Sequence, residues 1–270
     1  MHLRLVWDEF PTHNLYAVTG RSRAAHRLPS VVFDVSSKQI ISTANFWFWI
    51  QRAYSPRHLQ FFDDRYLAIG AVAKELHRVT GDTYIAGMWK SRIVQHLAWY
   101  SDSQIHTRKP YPRQSPSWSW LSQFQPVNTY GIWEEDPKQP KLISYSVQLA
   151  DPTALFGHVF GGDLVLQATI VNSTKIDREI VVGIRLDSGF RASEAFFLCH
   201  YVGEEYYYLY LAQNTTEIPS EVSDYHFFWV ALFLRSLGDR TFVREGFVTI
   251  DQLLFPHLRD MKEETTIRLV

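Results

Sequence analysis

Between Asp63 and Leu121 the apolar residues change their period, and that change limits what the chain can fold into. Tyr66, Ile69, Ala73 and Leu76 recur at steps of three and four, the stripe of an amphipathic helix, with Lys74, Glu75 and Arg78 off it. Asp63 or Asp64 caps its start, because a carboxylate there accepts orphan backbone N–H groups and meets the positive helix end. Thr80-Gly81-Asp82 stops it, with Gly81 in the left-handed position after the last turn. Ile85, Trp89, Ile93 and Leu97 stand four apart and predict a second helix, antiparallel to the first. Ser101 to Ser115 is a polar, proline-bearing loop. Trp118 and Trp120, two apart, predict a strand with both indoles on one face and Ser117 and Ser119 on the other. Upstream, Phe46-Trp47-Phe48-Trp49-Ile50 is apolar on every side, so it is buried or meets a partner protein. Its helix ends near Tyr54, since Pro56 disfavours helix at the residue before it.

From Lys141 the period becomes two. Ile143, Tyr145, Val147 and Leu149 alternate with Ser144, Ser146 and Gln148, as in a half-buried strand; Leu164, Leu166, Ala168 and Ile170 repeat the pattern after Gly161-Gly162. Phe196 to Val202, Tyr206 to Leu211, Phe227 to Leu234 and Thr265 to Val270 read as further strands. The expected fold class is α+β: a helical N-terminal half packed with an antiparallel, β-rich, sandwich- or barrel-like C-terminal half. Three regions follow: an irregular segment 1–44, a helical region 45–123 ending in the tryptophan strand, and a β-rich region 124–270. Within the first, Arg21 to Arg27 is basic and Val31 to Val35 is a short strand candidate.

Charge is nearly balanced, with 27 Lys+Arg against 28 Asp+Glu, which gives no basic surface for nucleic acid. One cysteine, Cys199, precludes an intramolecular disulfide and suits a reducing compartment. No run approaches the ~20 apolar residues of a membrane span, and the N-terminus lacks a signal-peptide core. The expectation is a cytoplasmic protein, in which Asn172-Ser173-Thr174 and Asn214-Thr215-Thr216 match the glycosylation pattern by chance. Nine Trp, 14 Tyr and 18 Phe fit either strand propensity or a sugar-binding surface.

No reaction emerges from the residues. Gly81 to Ser91 holds glycines, a lysine and a serine, but Met88 and Trp89 break the phosphate-loop spacing. Asp63 and Asp64 fit capping better than paired acid catalysis, and Glu134-Glu135-Asp136 reads as a solvated turn. The 11 histidines include no metal-ligand spacing; His58, His77 and His96 read as structural. Cys199 reads as a small buried hydrophobe. Arg57 and Arg65, each beside apolar neighbours, suit a fork-shaped bond to a carbonyl or carboxylate, with ligand binding as the other reading. No catalytic residue, cofactor or metal is assigned.

Four segments carry a family resemblance when taken in order: Tyr54-Ser55-Pro56-Arg57, Asp64-Arg65-Tyr66-Leu67-Ala68, Gly81 to Trp89 with Met88 where leucine is usual, and Pro116-Ser117-Trp118-Ser119-Trp120. Together they resemble the region that follows the effector domain in fungal heterokaryon incompatibility (HET) proteins. Phe156-Gly157-His158-Val159, Gly161-Gly162 and Thr266 to Val270 extend the resemblance, so that it covers Phe46 to Val270. Nothing before Tyr54 reads as the HET domain; residues 1–44 are expected to be a remnant of a longer ancestor or a product of where translation was taken to begin, and the C-terminus to be authentic. The resemblance implies a non-catalytic accessory or regulatory region acting in nonself recognition and regulated cell death. It implies that Arg57, Asp64, Arg65, Tyr84, Gly87, Trp89, Trp118 and Trp120 are structural or interaction residues. The alternative is a stand-alone, aromatic-rich module binding a carbohydrate or another small ligand.

Overall fold

The computed structural model describes residues 4–5, 31–32, 43–57, 64–101, 115–123, 125–130, 136–176, 181–187, 204–217, 225–251 and 264–270. The Arg21 to Arg27 stretch, His58, Asp63, Glu134, Glu135 and the strand expected over Phe196 to Val202, with Cys199, lie outside these residues.

Residues 1–43 form one unit, in which β1 (Arg4–Leu5) pairs antiparallel with β2 (Val31–Val32). The second unit, Ala44–Val270, is built mainly of strands. Its helices among the described residues are α1 (Thr43–Tyr54), α2 (Asp64–Thr80) and α3 (Ile93–Leu97), of 12, 17 and 5 residues. The expected helical N-terminal half is therefore overturned. The protein is mostly β, and three short helices do not make a half.

The correction has a local cause. The stretch read as a second helix is a two-strand hairpin, β3 (Tyr84–Ile85) and β4 (Met88–Trp89), followed by a 3-10 turn, α3 and β5 (Trp99–Ser101). Ala86 and Gly87 both have positive φ, 43° and 91°, the backbone of a two-residue hairpin turn with a right-handed twist. A helix cannot pass through such a pair. Ile85, Trp89, Ile93 and Leu97 are all buried, yet they belong to three different elements. Pro116 to Trp120 is likewise not a strand. Ser119 N–H bonds back to the Pro116 carbonyl at 3.0 Å, and a 3-10 turn covers Trp120–Ser122, started by the Ser119 side chain.

α2 keeps its predicted course. Tyr66, Ile69, Ala73 and Leu76 are buried, and Gly81, with φ +70°, turns its N–H back to the His77 carbonyl at 2.8 Å. Gly70 is set so close to another segment that a Cβ there would lie 2.2 Å from the Phe156 carbonyl oxygen.

The main sheet has seven strands: β7 (Lys141–Leu149), β8 (Val159–Asn172), β9 (Val181–Leu186), β10 (Tyr206–Glu217), β11 (Tyr225–Gly238), β12 (Thr241–Asp251) and β13 (Glu264–Leu269). A smaller pair joins β5 to β6 (Val127–Thr129). Pairing runs β8 to β10, β10 to β11, β11 to β12, β12 to β13 and β13 back to β8, a closed circuit. The β12–β13 contact is parallel. β9 adds to the free part of β12, and β7 to β8. Tyr206, Tyr208, Tyr210, Trp229, Phe233, Val248 and Ile250 pack into one apolar core on this sheet. Among the described residues no helix is long and apolar enough to cross a membrane.

Candidate functional site

Trp47, Ser119 and Trp120 converge on the Ala86-Gly87 turn. The Gly87 carbonyl accepts hydrogen bonds from two indoles, Trp47 Nε1 at 2.8 Å and Trp120 Nε1 at 2.6 Å. One residue back, the Ala86 carbonyl accepts from Ser119 Oγ at 2.6 Å. Gly87 has to be glycine twice over: its φ is positive, and a Cβ would sit 2.8 Å from Trp120 Nε1. The positive φ at Ala86 is strain that these bonds hold in place. Trp89 packs edge-on against Trp47 and Tyr84, with ring centres 5.3 and 5.5 Å apart.

A second cluster surrounds Trp120. Its ring meets Tyr54 edge-on at 6.4 Å, and the Arg65 guanidinium lies 5.7 Å over it. Tyr54 donates its phenol hydrogen to the Arg65 carbonyl at 2.8 Å, and burial pushes that phenol's pKa up. Arg65 itself is 5% exposed and bonds to the Gln123 carbonyl through Nη1. Among the described residues its Nε and Nη2 have no hydrogen-bond partner, and burial pulls its pKa down to about 10, so it is still charged near neutrality. The expected fork-shaped bond is thus half made. Arg57 donates to the Ala53 carbonyl at 3.3 Å, on the surface. Asp64 opens α2 in an exposed position.

Trp118 and Trp120 are both 0% exposed. They serve different contacts: the Trp118 main-chain carbonyl accepts Trp99 Nε1 at 2.9 Å. Ser117 and Ser119, expected on an outer face, are buried as well. Ser117 Oγ accepts the Arg244 N–H at 3.0 Å and donates to the Val270 carbonyl. Arg244 is the residue that sequence reasoning missed. It is fully buried, pairs with Asp187 at 2.9 Å, donates to the Leu97 and Trp99 carbonyls at 2.7 and 2.5 Å, and stacks 3.3 Å over the Trp99 ring. The available signal was an arginine between the apolar pairs Phe242-Val243 and Phe247-Val248. Its partner, Asp187, stands 57 residues earlier and carries no such mark.

The segment Phe46 to Ile50, expected to be buried or to meet a partner, is largely covered by its own chain. Phe46, Trp47 and Ile50 are buried, Phe48 is half-buried, and Trp49 is the exposed ring at 40%. Among the described residues, no group of three or more His, Cys, Asp and Glu could hold a metal ion. Ser117 and Ser119 both spend their hydroxyls on main-chain groups.

His96 offers a pH test. It is fully buried against Phe48, and neither ring nitrogen has a hydrogen-bond partner among the described residues. Burial, helped by Arg92, holds its pKa down at about 3. The folded state keeps the ring neutral while the unfolded chain protonates near pH 6.5, so stability is full above that pH and falls below it by about 1.4 kcal/mol per unit. We expect His96→Leu to leave stability near neutrality within about 1 kcal/mol, because no hydrogen bond is lost. It should also remove that part of the acid slope between about pH 6 and pH 4. Parallel denaturant titrations of both proteins across this range check it; equal slopes would refute the neutral, desolvated imidazole.

No family model, curated protein or solved structure matches the chain.

Proposed function

We propose that this chain is a non-catalytic recognition or regulatory module of the heterokaryon-incompatibility type, acting in the cytoplasm in fungal nonself recognition and regulated cell death. One observation supports this most. Trp47, Ser119 and Trp120, from two separate segments, spend their polar groups on the carbonyls of the Ala86-Gly87 turn. Residues spent this way build a scaffold rather than line a substrate pocket. The same observation weighs against the small-ligand module, since Trp118 and Trp120 offer no surface on which a sugar could stack.

The chain expressed alone in a fungal cell is expected neither to kill nor to lower nicotinamide dinucleotide levels. The test is induced expression, with viability and dinucleotide followed over time, of wild type and of Trp49→Gln, which removes the exposed ring of α1. Death with dinucleotide loss in both would overturn the non-catalytic reading. Death only in the wild type would point to recruitment of a resident effector through Trp49.

A further inference from the structure

We infer that the closed circuit of strands has one releasable seam, between β12 and β13, and that Ser117 is its latch. This conformational device goes beyond the function proposed above and does not rest on it. The pairings that close the circuit are unequal. β11 and β12 stay paired from Phe228 to Gly238, and β13 is paired with β8 along its whole length, Glu264 to Leu269. β12 and β13 are in register only where Thr241 faces Arg268 and Phe242 faces Leu269. That contact is also the parallel one, and parallel pairing is slightly less stable per residue. β8 and β10 meet over a short stretch too, Ile170 to Asn172, but antiparallel.

The hydrogen bonds show how the seam ends. Arg268 N–H donates to the Arg240 carbonyl at 2.9 Å, and Val270 N–H to the Phe242 carbonyl at 3.0 Å, as in an evenly spaced parallel ladder. The next bond of that series would run from Arg244 N–H to the Val270 carbonyl. Ser117 stands in its place. Arg244 N–H donates to Ser117 Oγ at 3.0 Å, and the Val270 carbonyl accepts both Ser117 Oγ–H and, at 3.2 Å, Ser117 N–H. Ser117 belongs to neither strand: its segment is fastened to the Ala86 carbonyl through Ser119 Oγ. When Ser117 lets go, β13 can part from β12 along one line while the ladder to β8 still holds it. Successive N–H groups of a strand point to opposite sides, so Arg268 and Val270 face the seam, and Ile267 and Leu269 face β8.

Amide hydrogen exchange of the full chain, read residue by residue by NMR, tests this. In wild type the Arg244, Arg268 and Val270 amides should exchange well ahead of Val230 to Phe233 in the middle of β11, which wait for global unfolding. Ile267 and Leu269 should stay slow, which separates opening of the seam from fraying of the whole strand. Ser117→Ala should speed the Arg244 and Val270 amides about tenfold, the effect of losing one hydrogen bond. Ser117→Thr, which keeps the hydroxyl, should return them toward the wild-type rates. Three results would each overturn the proposal: seam amides as slow as those of β11 in wild type, Ile267 and Leu269 as fast as Arg268 and Val270, or unchanged Arg244 and Val270 rates in Ser117→Ala. The first two need no variant, so they hold even where Ser117→Ala does not fold.

Discussion

Asp187→Ala is expected to destabilise the protein by about 3–5 kcal/mol, because it removes the carboxylate that pairs with the buried Arg244 charge at 2.9 Å. Arg244 has no exposure and Asp187 has 8%, so water cannot take over from the lost carboxylate. The bonds to the Leu97 and Trp99 carbonyls are to dipoles, which do not neutralise a full charge. The arginine cannot swing out, since it is clamped over the Trp99 ring at 3.3 Å. Arg244→Lys should cost a similar amount: an ammonium has no planar fork with which to reach Asp187 and two carbonyls at once. Replacing both partners, Asp187→Leu with Arg244→Met, should recover part of the loss, since a well-packed apolar pair carries no desolvation penalty. Urea unfolding with an unchanged m-value measures all three. A loss under about 1 kcal/mol for Asp187→Ala would mean that the pair is solvated.

Trp120→Ala is expected to cost about 3–5 kcal/mol, the range for deleting a buried large aromatic. The indole contributes packing and a bond. It fills the space beside Gly87 and Tyr54, lies under Arg65, and holds the Gly87 carbonyl. Trp120→Phe separates the two contributions: it keeps most of the ring and loses the N–H, so it should cost about 1–2 kcal/mol, with Trp47 still bonded to the same carbonyl. Trp118→Ala should fall in the same range as Trp120→Ala, since that ring is equally buried. Thermal and urea denaturation provide the measurements. An unchanged melting temperature together with loss of a ligand would favour the small-ligand module instead.

α2 was legible because a 17-residue stripe with a glycine stop is a local signal that packing reinforces. The strands β8, β10, β11 and β13 were legible for the same reason, through alternation and β-branched or aromatic content. The hairpin at Ala86-Gly87 was not. Hairpin turns of this kind favour asparagine or aspartate before glycine, and alanine gives no warning of a positive φ. Four-residue spacing then imitated a helix, because burial alone puts apolar residues at many spacings. At Pro116 to Trp120 the two-residue spacing of tryptophans imitated a strand, when all five residues are buried and no outer face exists.

What the sequence determined by itself was the identity of the residues that matter to one another locally: the stripe of α2, its glycine stop, and the tryptophans that must leave water. Their partners were decided only by the tertiary structure. Trp120 and Trp47 meet on one carbonyl across 33 and 40 residues, and Arg244 finds Leu97 across 147. Such contacts depend on main-chain carbonyls, which every residue carries, so no side-chain pattern announces them. Even the exposure of β7 turned on its place at the end of the sheet, since alternation reports which residues share a face and leaves open whether anything covers that face.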